Sequence, residues 1–348
     1  MIKVFDFFSG CGGTSYGFQQ AGFDIAVAID FDSDVAKTYQ SNFPKSAFIK
    51  ADIRSLNADI LKPWMADRMP SLFCGCAPCQ PFSKQNRNRS DYDARLNLLS
   101  EFGRFVEYWL PEYVFIENVP GMQRLKGTDG PLSTFTSLLA KLEYCYEVKV
   151  LPALWFGVPQ TRERLVLMAS RRSKINLPEP THGPGKLPYA TVRDWIGNLP
   201  PLSAGQTDPA DSSHRAARLS ERNLARISVT PEGGGREQWP PDFLLDCHKN
   251  HKGHTDVYGR LAWNKPAAGL TTRCISFSNG RFGHPDQNRA ISVREAACLQ
   301  TFPCDFVFEG NLSSRARQIG NAVPPLMALR VGKAFMEHHL DKSVPNSQ

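Results

Sequence analysis

Over the first 170 residues, short apolar runs ending in Gly, Asp or Pro alternate with helix-like stretches. This rhythm constrains the fold more than any other feature of the chain. "KVFDFFSG" reads as a strand entering a glycine turn, and "TSYGFQQAG" as a short helix stopped by Gly22. "DIAVAIDFD" is a second strand, "SDVAKTYQSNF" a second helix ending before Pro44, and "AFIKADI" a third strand. "SLFCGCAP", "YVFIENVPG" and "RERLVLMAS" read as further apolar strands. Strands separated by helices call for crossover connections. The expected fold is therefore α/β, with an open, doubly wound, mostly parallel sheet.

From about Lys174 the texture changes. Pro, Gly and Ser crowd into "NLPEPTHGPGKLPY", "LPPLSAGQ" and "TPEGGGREQWPPD", and periodicity weakens. Residues 171–290 carry 17 Lys and Arg against 11 Asp and Glu, so almost all of the chain's net charge of +7 sits there. A basic, loop-rich half suits a polyanionic partner. Helical pattern returns in "SVREAACLQTF" and "PLMALRVGKAFMEHHL". No apolar run approaches the roughly 20 residues that cross a bilayer, and the first residues lack a signal-peptide pattern. Nine cysteines, an odd number in a chain of 348 residues, read as free thiols. Together these features predict a soluble intracellular protein.

Gly10, Gly12 and Gly13 lie between a strand and a helix, where glycine lets backbone N–H groups approach a ligand. Ser15 occupies the last position of a G-x-G-x-x-G pattern, so an ordinary tight turn stays open as a reading. Two acids favour a ligand. Asp30 ends the second strand, where an acid reaches ribose hydroxyls, and Asp52 ends the third, within reach of an adenine amine. Both NAD and S-adenosylmethionine carry that adenosine.

"CGCAPCQPFS" gathers Cys74, Cys76 and Cys79. A zinc clip, a redox pair and a single reactive sulfur are all compatible with the spacing. Cys74 and Cys76 fall two apart inside an apolar strand and read as buried structural thiols. Cys79 lies beyond Pro78, past the carboxyl end of a strand, where doubly wound sheets bind ligands. Glu117 in "ENVPG" ends a neighbouring strand and reaches the same edge. A thiol and a carboxyl group beside an adenosine pocket form a catalytic constellation. "CHKNHKGH" at 247–254 matches no standard zinc finger and reads as a loop at or near a nucleic acid.

Six blocks in order resemble the cytosine-C5 DNA methyltransferase family of bacterial restriction–modification systems: "FDFFSGCGG", "PCQPFS", "ENVPG", "VPQTRERL", "RAISVREAACLQTFP" and "RQIGNAVPP". They span nearly the whole chain. Three positions depart from the usual pattern: Cys76 and Leu96 replace glycines, and Asp30 stands where Glu is more usual. The resemblance implies a Cys79 thiolate that adds to C6 of cytosine, with Glu117 at N3, Arg164 at O2 and Arg162 supporting it. Gln160, Arg162 and Arg164 alternate, which predicts one strand with all three on one face. The implied cofactor is S-adenosyl-L-methionine, held by Phe8, Gly10, Cys11, Gly12, Gly13, Asp30, Phe31, Asp52, Ile53, Pro78, Leu98, Asn321 and Ala322. No metal is implied.

The partner implied is double-stranded DNA, with the target base flipped out because C6 is covered in a stacked duplex. Residues 1–175 would form the catalytic and cofactor-binding domain. Residues 176–316 would recognise DNA, with "GLTTRCISFSNGR" at 269–281 a candidate contact, and 317–348 would return to the catalytic domain. The setting implied is a cytoplasmic monomer, sometimes accompanied by a restriction endonuclease that it need not touch. A tRNA cytosine methyltransferase, a non-catalytic DNA-binding repressor and a nicotinamide oxidoreductase are the rival readings.

Overall fold

The computed structural model describes residues 1–77, 98–121, 130–246 and 256–341. The chain divides into two units. The first comprises Met1–Pro152, Glu163–Pro180 and Pro325–Gln348; the second comprises Ala153–Arg162 and Thr181–Pro324.

The first unit is built on apolar strands. In β1 (Lys3–Phe7), Val4 to Phe7 are wholly buried, as befits a strand covered on both faces. It is followed by β2 (Asp24–Asp30), β3 (Ala47–Lys50), β4 (Ser71–Gly75), β5 (Tyr113–Asn118), β6 (Cys145–Pro152) and β7 (Glu163–Ser170). The sheet order is β3-β2-β1-β4-β5-β7-β6. β1 to β5 are parallel, while β7 runs antiparallel to both of its neighbours. The α/β class and the mostly parallel sheet are as expected. The order reverses between β1 and β4, and at such a switch point the carboxyl ends of the strands open a crevice for a ligand.

Helices α1 (Gly13–Gln20), α2 (Ser33–Asn42), α3 (Lys62–Met65), α4 (Leu98–Trp109) and α5 (Pro131–Lys141) connect the strands. Phe7 meets Phe102 and Phe105 of α4 at 5.2 and 5.0 Å between ring centroids. In β5, Val114 and Ile116 join that same core. Phe115, one residue out of phase, instead meets Phe18 of α1 at 5.4 Å. The period of two therefore sorts one strand's side chains onto two helical layers.

A C-terminal helix, Pro325–Leu340, packs on α1 through glycines. A Cβ on Gly17 would lie 2.4 Å from the Pro325 carbonyl oxygen and 2.6 Å from the Leu329 nitrogen. Backbone cannot step aside, so Gly17→Ala should pry the two helices apart. The expected loss is about 3 kcal/mol, read from chemical denaturation, as overpacking a tight contact requires. An unchanged midpoint would mean that this packing is loose.

The second unit is mostly irregular, with short helices at Val192–Ile196, Glu221–Ser228, Val293–Leu299 and Leu312–Asn321. Irregular backbone leaves carbonyls without ladder partners. Buried arginines supply the donors. Arg260 donates to the carbonyls of Ile227, Thr230, His284 and Gln287. Arg289, fully buried, makes a two-pronged pair with Glu295 at 2.7 Å on each side. Part of the basic surplus of this half is thus internal scaffolding.

Three expectations are revised. Residues 159–162 do not continue β7. Pro159 offers no N–H to a ladder, and the stretch pairs with Ala267 instead: Thr161 N–H donates to the Ala267 carbonyl and Ala267 N–H to that of Pro159. Gln160 and Arg162 therefore lie in the second unit and off the strand that carries Arg164. The expected break at 316/317 falls inside helix Leu312–Asn321, and the units part at Pro324, where two prolines meet. The other division lies at Pro180 rather than 175. The edge strand β6 has no counterpart in the sequence reading. No helix among the described residues is long and apolar enough to cross a membrane.

Candidate active site

The glycine turn follows β1 directly. Phe8, Gly10 and Gly12 have φ of +58°, +53° and +97°, the left-handed region that glycine tolerates best. A Cβ at Gly10 would meet nothing within 4 Å, so the turn presents open space there. At Gly12 a Cβ would fall 2.3 Å from the Phe43 ring and 3.2 Å from Tyr39. The turn is pinned from beneath by Asp30, whose carboxylate accepts from Gly10 N–H and Asp32 N–H, each at 3.0 Å. Burial pushes the Asp30 carboxyl up from its ordinary range, and those two amides hold it back in part. Phe31, next in sequence, is 65% exposed. A large apolar ring exposed beside the glycine turn is suited to stacking on a flat ligand.

Asp52 caps a one-turn helix by accepting from Arg54 N–H at 2.9 Å and pairs with the Arg54 guanidinium at 2.5 Å. That partner holds its carboxyl below the usual carboxylate range. Ile53 and Leu98 are buried, and so is Cys11, whose thiol burial pushes up to about 12.

On β5, Glu117 is buried at the strand's carboxyl end. Arg164, near the start of β7, brings its Nε to 2.7 Å from Glu117 Oε1. The contact is an ion pair by distance, without a directed hydrogen bond to that oxygen. Antiparallel pairing makes it possible, because Asn118 lies opposite Leu165 and Glu117 opposite Val166. Next door, Asn118 Nδ2 donates to the Ala77 carbonyl at 3.2 Å. This bond fastens the end of β5 to the last described residue before Pro78 and Cys79. Pro78 and Cys79 themselves lie outside the described residues, as does the 247–254 stretch.

Cys74 and Cys76 are not nucleophiles in waiting. Cys74 is buried in β4 as expected, whereas Cys76 lies just past the strand and is half-buried; desolvation raises both thiols well above the ordinary cysteine value, and the negative charge of Glu117 raises Cys76 further. Cys76 Sγ contacts Thr14 Oγ1 at 3.6 Å and takes a backbone N–H from Glu117.

Arg162 is committed within the second unit. It donates to the carbonyls of Leu270, Gly320 and Ala322 at 2.9 to 3.2 Å. Gln160 donates to Leu299 and Gln300. Arg162 thus holds the backbone around Asn321 and Ala322, the two expected cofactor contacts in this unit, and Gln160 braces it through Gln300, whose Nε2 donates to the Ala322 carbonyl at 2.5 Å.

Sequence reasoning passed over Asp6. It is fully buried in β1 and accepts from Ser15 Oγ at 2.6 Å, with the Ser15 backbone N–H adding a weaker contact; Ser15 Oγ in turn accepts from Tyr39 OH at 2.7 Å. Oδ1 is buried without a hydrogen-bond partner among the described residues, and burial lifts the carboxyl to about 7. An acid inside the apolar run "VFDFF" was the available signal.

A linkage follows from this. The folded state holds the Asp6 proton more tightly than the unfolded chain does, so its stabilising contribution is complete below about pH 4 and lost as pH rises through about 7. That loss amounts to about 4 kcal/mol at most. Asp6→Asn should flatten the fall in unfolding free energy across this window. A variant with the wild-type slope would place the linkage elsewhere.

The fold defines the class: an α/β protein with a glycine turn at the switch point and an acid–arginine pair at the carboxyl edge, the frame of a methyltransferase. The match to the family model of the C-5 cytosine-specific DNA methylase covers residues 2–337. The Type II methylase M.HgiDII of Herpetosiphon aurantiacus is 38% identical over 95% of this chain and 94% of its own. The Type II methyltransferase M1.HphI of Haemophilus parahaemolyticus is 34% identical over 97% and 87%. Among solved structures, a prophage-encoded chain from Escherichia coli, described as a DNA modification methyltransferase, superposes with a TM-score of 0.76 at 25% identity, covering 97% of this chain and 99% of its own. The chain belongs to the C-5 cytosine-specific DNA methylase family, and its activity is that of a DNA (cytosine-5)-methyltransferase.

Proposed function

We propose that the chain methylates C5 of a cytosine flipped out of a specific duplex sequence, through a covalent bond between Cys79 and C6. The carrying observation is the Glu117–Arg164 pair at the carboxyl edge, tied through Asn118 to the residue before Pro78-Cys79. Cys79 adds to C6 as a thiolate. As Arg164 turns from Glu117 to the cytosine O2, Glu117 loses its counter-charge and takes a proton from solvent, then donates it in a hydrogen bond to N3 and drains the charge that addition creates. When bound, S-adenosyl-L-methionine supplies an electrophilic methyl group on its sulfonium, which C5 takes. A base then removes the C5 proton, and the Cys79–C6 bond breaks.

The residues present fit that cofactor. Open space at Gly10, the acid at Asp30 and the exposed ring of Phe31 suit a methionine chain, a ribose and an adenine in turn. Asp52 serves the adenine amine by leaving Arg54, and Phe8, Cys11, Gly12, Gly13, Ile53 and Leu98 complete the walls. The family resemblance assigns Asn321 and Ala322 to the same cofactor. That unit grips duplex DNA, with exposed Thr272 and Arg273 among its contacts. Arg162 supports the site by holding the Gly320–Ala322 backbone rather than by touching the base. We read the enzyme as a cytoplasmic monomer, with any companion endonuclease acting separately.

The test is expression in cells that lack cytosine methylation, followed by base-resolution mapping of 5-methylcytosine in DNA and in tRNA. Modification at one recurring DNA sequence is expected. Modification of tRNA alone would overturn the reading.

A further inference from the structure

Among the described residues of the first unit, Asp6 is a strongly displaced carboxyl group that the proposed chemistry does not use. Its surroundings are unusual for a carboxyl group. It sits in the strand that leads into the glycine turn and is fully buried. Its neighbours among the described residues are neutral or negative: Ser15 on α1, Tyr39 on α2, Cys74 on β4, Cys76 just past the end of β4, Cys11 in the turn and the Asp30 carboxyl on β2. No Lys, Arg or His pairs with it among the described residues, and Oδ1 receives no hydrogen bond. A buried carboxylate without a cation is costly, so in the free protein the group keeps its proton near neutrality. What is missing is a positive charge, and the proposed ligand of the adjacent turn carries one on sulfur.

We infer that Asp6 is a buried counter-charge for that sulfonium: it releases its proton when the cationic methyl donor enters the turn, and takes it back when the neutral thioether product remains. The proton goes to solvent on binding and returns on turnover, so charge balances at each stage. By linkage, the donor binds more tightly as pH rises through neutrality, and the product does not. Asp6 thereby weakens product inhibition without touching the reacting atoms. This rests on S-adenosyl-L-methionine being the donor.

The test is calorimetric binding of S-adenosyl-L-methionine and of S-adenosylhomocysteine to the full chain, in two buffers of different ionisation enthalpy. The preference for donor over product should grow roughly tenfold between about pH 6 and about pH 8, as one linked proton allows. Asp6→Asn should abolish the growth and keep the affinity for S-adenosylhomocysteine. The α-amino group common to both ligands titrates in the variant too, so the difference between variant and wild type isolates Asp6. Asp30→Asn should weaken both ligands alike and leave the growth in place; if it removes the growth, Asp30 rather than Asp6 is the linked acid. Should Asp6→Asn fail to fold, infrared difference spectra of the wild type decide: the donor, and not the product, should erase a protonated-carboxyl band. Donor and product binding with no differential proton release would sink the inference and leave the function standing. Failure of both to bind would instead remove the cofactor assignment.

Discussion

Cys79→Ser should abolish methyl transfer while cofactor affinity stays within a few-fold of wild type. A thiol with an ordinary value of about 8.5 is already a few per cent ionised at neutrality and is intrinsically nucleophilic; a serine hydroxyl is neither, and no base built to activate one is needed for cysteine. A fall of at least about a thousandfold is expected, read as methyl transferred per hour to duplex DNA. Rescue by a neighbour is closed off. Cys74 and Cys76 stand five and three residues away, but burial raises both thiols well above the ordinary cysteine value, and Cys76 also faces the charge of Glu117. Cofactor affinity should survive because the glycine turn and its Asp30 brace belong to β1 and β2. A direct readout of the covalent step is available as well. DNA bearing 5-fluorocytosine at the target has no C5 proton to lose, so wild type should remain bonded to it through a denaturing gel and the serine variant should not. Substantial turnover by Cys79→Ser would end the covalent scheme.

Much of the first unit was legible because its strands are buried on both faces. Near-continuous apolar runs such as "KVFDFF" and "YVFIEN" leave little alternative to a central strand. The edge strand β6 carries a weaker signal: its residues are largely half-buried or exposed, and "CYEVKVLP" mixes charge with aliphatics. Position within the site was harder to read than membership of it. Alternation placed Gln160, Arg162 and Arg164 on one strand face, but alternation presumes a ladder, and Pro159 interrupts it. Asp6 was hidden for the opposite reason. A lone acid inside an apolar run looks like a blemish in the pattern, and only the packing of α1 and α2 over it gives it Ser15, Tyr39 and, among the described residues, nothing cationic. In the second unit the total charge was readable, but not which arginines face water. Arg226, Arg260 and Arg289 are buried, because irregular backbone needs donors that the pattern of residues does not reveal.

Glu117→Gln should cost roughly a hundred- to ten-thousandfold in turnover, the usual worth of a positioned acid, with DNA affinity little changed. The amide fills the same space and can still donate a hydrogen bond to N3, but it has no proton to give when charge builds there. Turnover should therefore fall while KM holds. Arg164→Ala separates the two members of the pair. With side chains 16% and 8% exposed, Arg164 and Glu117 are partners away from bulk water. Removing the cation strands a buried carboxylate, which costs about 3–5 kcal/mol. Combining Arg164→Ala with Glu117→Gln removes the stranded charge, so the double variant should regain most of the lost stability while staying as inactive as the worse single variant. That pattern, recovery of folding without recovery of chemistry, distinguishes an ion pair that serves the reaction from one that only holds β5 against β7. If Glu117→Gln turns over at the wild-type rate, the pair is scaffolding, and the group that quenches charge at N3 must be sought elsewhere.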